Sequence, residues 1–152
     1  MIYNNKKDFL SNCKTNTRLI GLDVGTKTIG IALSDKSRII ATPKFVLRRK
    51  GNKKDIELLL PYFEENLVGG IIIGKPLNSN GEETECSKFI GRFVDELMKF
   101  TELPIFFVDE TLTSFQAEDF LINDMGSKCK DVKQIVDKVA ASYILQDFIN
   151  LR

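Results

Sequence analysis

Three consecutive isoleucines, Ile71–Ile73, follow Gly69-Gly70 and run into Gly74-Lys75-Pro76. A short, continuously apolar, β-branched run of this kind fits a strand covered on both faces, as in the interior of a parallel sheet. Such a strand needs helices on both sides, so this segment alone points to an α/β fold. The flanking pattern agrees. From Asp55 onward, Ile56, Leu59, Leu60 and Phe63 fall on one face of a helix, with Gly69-Gly70 as its expected stop. Cys86, Phe89, Ile90, Phe93, Val94, Leu97 and Met98 hold the same spacing, and Pro104 then opens a strand over 105–109. Ala117, Phe120 and Leu121 mark a short helix. Val132, Ile135, Val136, Val139, Ala140, Tyr143, Ile144 and Phe148 mark a long terminal one.

Upstream, Leu19–Val24 and Ile29–Leu33 are two strand-like runs a few residues apart, too close for a parallel crossover and therefore an antiparallel hairpin. Ile39–Leu47 supplies a third strand, which Pro43 assigns to a sheet edge or a bulge. The order β-β-β-α-β-α-β-α-α predicts a five-stranded mixed sheet with helices on both faces, in one domain over residues 18–152. Residues 1–17 read as a polar, frayed extension. The first, fourth and fifth strands are expected to run parallel, and ligands collect outside the carboxyl ends of such strands. Those ends carry Asp23, Gly74-Lys75-Pro76 and Asp109-Glu110.

Composition narrows the chemistry. The 152 residues contain no histidine, which removes imidazole-based nucleophile systems and imidazole-ligated zinc. Cys13, Cys86 and Cys129 are far apart and odd in number, so neither a disulfide framework nor a thiolate knuckle is expected. Residues 1–17 lack the apolar stretch of a secretory signal, and no segment approaches the ~18 apolar residues of a membrane span. A cytoplasmic protein with no membrane partner is expected. With 22 Lys+Arg against 21 Asp+Glu the formal charge is +1, so any polyanion contact must be local. Lys44–Lys54 carries six basic residues and no acid, and Lys128, Lys130, Lys133 and Lys138 cluster near the last helix. Either patch suits a polyanion track or a solvated basic loop.

The remaining candidates are carboxylates. Asp23 closes a strand in GLDVGTKTIGIAL, Asp109-Glu110 follows another, and Asp137 lies in the terminal helix. Carboxylates from separate elements repel one another at one sheet edge unless cations lie between them. Convergence would therefore imply hard divalent ions with oxygen ligands, Mg²⁺ or Mn²⁺. Two such ions about 3.5–4 Å apart would serve phosphodiester hydrolysis. Each acid also has a plainer reading. Asp23 suits a hairpin, Asp109-Glu110 the start of the helix near 114–122, and Asp137 a helix-dipole acid or a partner of Lys133. GKPLNSNGEETE at 74–85 is a turn-rich loop in which Lys75 and Asn78 could reach a phosphate, though its three glutamates oppose that.

Together these residues resemble the YqgF family, also called RuvX: pre-16S rRNA nucleases with an RNase H-like fold, related to the RuvC Holliday-junction resolvases. The resemblance is carried by LIGLDVGTKTIGIALSD at 19–35, IIIGKPLNSNGEE at 71–83, VDETLTSFQAE at 108–118 and VDKVAASYILQDFI at 136–149. It implies a metal-dependent nuclease of ribosomal RNA maturation, with Asp23, Glu110 and Asp137 as metal ligands and Asp109 as a possible second ligand; Lys27, Lys75, Asn78 and Thr111 are the candidate substrate contacts beside them. Its expected partners are structured RNA in pre-rRNA or ribosomal particles, or branched DNA, bound by a monomer or homodimer. Thr111 stands where the family usually has arginine, which removes a bidentate phosphate contact, and Lys75, where the family loop reads Gly-Leu-Pro, is expected to replace that cation in part. Three other readings remain: a junction resolvase, an RNA- or ribosome-binding module without turnover, and, from Asp23-Val24-Gly25-Thr26, a phosphate turn of the actin-like ATPases.

Overall fold

The computed structural model describes residues 1–76, 85–109 and 130–151, with the backbone alone for 130–138. Its elements are β1 (Ile2–Tyr3), α1 (Lys6–Ser11), β2 (Arg18–Val24), β3 (Thr28–Ser34), β4 (Ala41–Arg48), α2 (Asn52–Glu65), β5 (Val68–Gly74), α3 (Glu85–Leu97), β6 (Ile105–Val108) and α4 (Lys130–Asn150). The strands form one sheet in the order β1-β6-β5-β2-β3-β4. The sheet is parallel from β1 through β2 and antiparallel across β3 and β4. The short helix expected at Ala117–Leu121 lies outside the described residues.

Every residue of β5 is buried, as its isoleucine run requires. Ile71 and Ile73 enter one core with Ile56, Leu59 and Phe63 of α2 and Ile90, Phe93, Val94 and Leu97 of α3. Ile72 enters the other, with Phe9 and with Ala141, Ile144, Leu145 and Phe148 of α4. Pro43 satisfies both of its expectations. It sits on the edge strand β4, where the register slips by a residue between the Ile31–Phe45 and Ala32–Pro43 pairs. The missing N–H of proline costs no ladder bond there.

Two expectations are corrected. Gly69-Gly70 do not stop α2. The helix ends at Asn66, whose Nδ2 donates to the Tyr62 carbonyl, followed by Leu67 at φ 53°. The glycines belong to β5, where a Cβ on Gly70 would lie 2.6 Å from Phe9 and 2.7 Å from the Cys13 sulfur. Residues 1–17 are not a frayed tail but carry the sixth strand and a helix. β1 pairs parallel with β6, and Asn5 caps α1 by accepting from the Lys7 and Asp8 amides. Phe9, fully buried, meets Phe106 and Phe148 edge to face at 5.8 and 5.2 Å. Lys6 Nζ donates to the Ile149 and Leu151 carbonyls, satisfying acceptors that the end of α4 leaves open. Among the described residues, no helix is long and apolar enough to cross a membrane.

Phe9→Ala should lower unfolding free energy by about 3–5 kcal/mol in a denaturant titration, whereas loss of a frayed tail would leave it unchanged. Burial pushes the Cys13 thiol up to about 11, against a smaller opposing pull from Arg38. Cys13 should therefore resist alkylation in the native protein at neutral pH while the exposed Cys86 reacts, as mass spectrometry of labelled peptides would read.

Candidate active site

Asp23 occupies the penultimate position of β2, opposite Gly30 of β3. Side chains alternate along a strand. Ile20, Leu22 and Val24 enter the core shared with α2 and α3, so Asp23 falls on the other face with Gly21 and Leu19. That face is covered by α4. Gly21 lets the helix come close: a Cβ there would lie 2.8 Å from both the Ala141 carbonyl oxygen and the Leu145 Cβ. Asp23 itself is half-buried, at the end of the sheet rather than under it.

The direction of α4 follows from its anchors. Gln146 accepts from the Ala41 amide and donates to the Ile39 carbonyl. Those residues lie where β4 begins, beside the start of β2, as the Ile20–Leu33–Thr42 register shows. Earlier turns of α4 therefore run toward the carboxyl end of β2. Asp137 is four residues before Ala141, about 6 Å along the axis on the Asp23 side. Only its backbone is described.

Registers across the sheet locate the other acid. Leu22 pairs with Ile73 and Gly74 with Val108, so Asp23, Gly74 and Val108 share a level and Asp109 is one residue beyond. Asp23 and Asp109 thus flank the end of β5, two strand spacings or roughly 10 Å apart along the sheet. Asp109 is exposed. Among the described residues no three carboxylates or thiols gather at one point. Glu110, Thr111 and Asn78 lie outside the described residues.

Lys75 donates its backbone N–H to the Val108 carbonyl at 2.8 Å, and its ammonium lies 4.8 Å from the centre of the Phe107 ring. Phe107 packs against the α2/α3 core, so Lys75 is on the sheet face away from Asp23. There it lines a cleft of about 410 Å³ with Ser87, Lys88, Gly91, Arg92 and Phe107; Ile2, Val94 and Asp95 also border it. Lys88 and Arg92, one helical turn apart on α3, are absent from the candidates that sequence suggests, although their i, i+4 spacing is visible there. Lys27 is exposed in the turn between β2 and β3. Of the six basic residues in Lys44–Lys54, Arg49 is withdrawn from any polyanion track, its side chain being only 6% exposed in an ion pair with Asp55.

The family model RuvX, described as Holliday junction resolvase, matches residues 17–151. A protein of Paramagnetospirillum magneticum is 38% identical over 145 residues, covering 95% of this chain and 93% of its own. One of Rickettsia bellii is 39% identical over 150 residues, covering 99% and 97%. One of Thermoanaerobacter pseudethanolicus is 40% identical over 133 residues, covering 88% and 96%. Each bears the name "Putative pre-16S rRNA nuclease". Among solved structures, the yeast mitochondrial Holliday junction resolvase superposes with a TM-score of 0.56 at 13% identity, covering 95% of this chain and 82% of that one. RuvC of T. thermophilus in complex with Holliday junction substrate gives 0.52 at 11%, covering 87% and 93%. At these identities the likeness is one of fold, the RuvC-like form of the RNase H fold. Matched over nearly its whole length by the family model and by these relatives, the chain belongs to the RuvX (YqgF) family.

Proposed function

We propose that this chain is a metal-dependent nuclease that hydrolyses phosphodiester bonds of structured RNA in 5′-end maturation of pre-16S ribosomal RNA, acting in the cytoplasm. The observation that carries the reading is the half-buried Asp23 at the carboxyl end of β2, on the face along which α4 runs from Ala141 toward Asp137. A carboxylate donor set without imidazole suits a hard divalent cation, Mg²⁺ or Mn²⁺, held by Asp23, Glu110 and Asp137. Within the pair, Glu110 is favoured over Asp109 for its longer side chain, and Asp109 would be a second ligand. Two bound ions would supply Lewis acidity at the scissile phosphate, and a water would be the nucleophile, with no covalent enzyme intermediate.

The chain's own residues bind and orient. Lys27 in the turn beyond Asp23, together with Asn78 and Thr111, would contact the substrate near the cut. Lys75, Lys88 and Arg92 would hold a more distant backbone phosphate in the α3 cleft. Lys75 then serves binding on the far sheet face instead of replacing the arginine that Thr111 displaces. Removing an end needs one such site, so a monomer suffices, whereas symmetric junction cutting needs two in a dimer. The description of the family model favours a second reading, a DNA-junction resolvase.

End-labelled precursor RNA and a labelled four-way junction, each with Mn²⁺ and then with chelator, separate these readings. RNA cleavage that stops on chelation and falls at least about 10²-fold in Asp23→Asn is the expected result. Preferential cutting of the junction would replace the RNA assignment, and binding without turnover would replace the nuclease. A combined Lys88→Ala and Arg92→Ala change should weaken RNA binding evenly across sequences. It should also flatten the dependence of log affinity on log salt by about 0.9 for each phosphate that is no longer neutralised, measured by filter binding.

A further inference from the structure

Arg49 emerges directly from β4, within a run that reads as a solvated basic loop, yet its side chain is buried. Its Nε lies 3.0 Å from Asp55 Oδ2, and its Nη1 donates to the Gly25 carbonyl at 3.1 Å. Its Nη2 donates to the Asn52 side-chain oxygen. The guanidinium sits 5.2 and 5.4 Å from the ring centres of Phe89 and Phe93 on α3. The Arg49 backbone N–H donates to the Lys27 carbonyl at 2.9 Å. Asp55 is fully buried, and its second oxygen accepts from the Lys50 amide at 2.9 Å. Between them, Gly51 turns the chain at φ 136°, a conformation a side chain would strain.

One residue therefore ties together the β2–β3 turn, the start of α2 and the face of α3. The tie reaches the turn at its most consequential point. Gly25 is two residues after Asp23, and its own N–H is engaged with the Thr28 carbonyl at 2.8 Å. Val24 is anchored in the core on the same side as Arg49. Only a planar guanidinium can hold a carboxylate, an amide oxygen and a backbone carbonyl at once while stacked on aromatic rings. An apolar residue of similar volume would fill the space but leave the Gly25 carbonyl unheld, and would strand a buried carboxylate.

We infer that Arg49 is a positioning residue for Asp23: by fixing the Gly25 carbonyl from the opposite sheet face, it holds the strand end that presents the Asp23 carboxylate. This inference rests on Asp23 being a catalytic carboxylate, so its test has a readout independent of activity. Arg49→Lys retains a cation for Asp55 but cannot also reach Gly25. Asp55→Asn retains the guanidinium and its bond to Gly25. In Arg49→Lys, exchange of the Gly25 amide should quicken at least about tenfold while the Ile71–Ile73 amides keep their native rates. On end-labelled RNA with Mn²⁺, at a temperature where both variants are folded, its kcat should fall about 10²-fold with KM nearly unchanged. Asp55→Asn should lose melting temperature but keep most of its kcat. Native Gly25 exchange together with native kcat in Arg49→Lys overturns the proposal, as does a loss of kcat that only follows faster exchange throughout β5. Should Arg49→Lys not fold, a kcat loss in Asp55→Asn without change at Gly25 overturns it equally. If the native protein cuts no RNA, faster Gly25 exchange in Arg49→Lys still upholds the tether, and the failure belongs to the nuclease reading.

Discussion

Contact between α4 and the middle of β2 governs the rest of the architecture. Interiors are packed at crystal-like density, so the separation of a helix from a sheet is set by the side chains between them. At Gly21 there is none, and the backbone of α4 at Ala141 lies almost on the strand. That approach sets the thickness of one core, into which Ile144, Leu145 and Phe148 fit beside Leu19 and Ile72. It also sets the line along which the earlier turns of α4 reach the carboxyl end of the sheet. Asp23 and Asp137 are thus brought toward one end by the absence of a methyl group two residues from Asp23.

The sheet divides the molecule into two faces with different work. On the α4 face, small residues and a half-buried carboxylate share a narrow space. On the α2/α3 face, a buried guanidinium underpins the turn beyond that carboxylate, and Lys75, Lys88 and Arg92 border an open cleft. Arg49, Lys75, Lys88 and Arg92 thus lie across the sheet from Asp23. Local placement matters more here than the balance of the whole chain, whose formal charge is only +1.

Much of this is legible in the sequence because its signals are local. The isoleucine run, the close-set hairpin, Pro43 and the apolar stripe of α3 each state their environment within a few residues. Asp23 is legible because a strand end is a position that pattern alone can find. Phe9 and Cys13 are not, because α1 has six residues, too few to show a period, and Phe106 and Phe148 of the same core lie 97 and 139 residues beyond Phe9. Gly69-Gly70 reads like a helix stop because glycine signals both chain reversal and close approach, and only the neighbour Phe9 decides between them. Arg49 is hidden by the charges around it, since burial of one cation among six leaves no mark on composition. The face of Lys75 is available in principle. Odd positions from Ile71 share one side of β5, and Lys75 continues their phase away from Asp23.

The meeting of the two ends of the chain has a consequence for how the molecule is made. Ile2 pairs with Ile105, and Lys6 holds the carbonyls of Ile149 and Leu151. During vectorial synthesis, the hairpin β2–β3 and its neighbours can assemble early, whereas β1 must wait for β6 near residue 105, and the contact of Phe9 with Phe148 waits longer still. Non-local closures of this kind slow folding and leave apolar surface waiting. Phe9 is part of that surface, and its burial is complete only when Phe148 of α4 arrives.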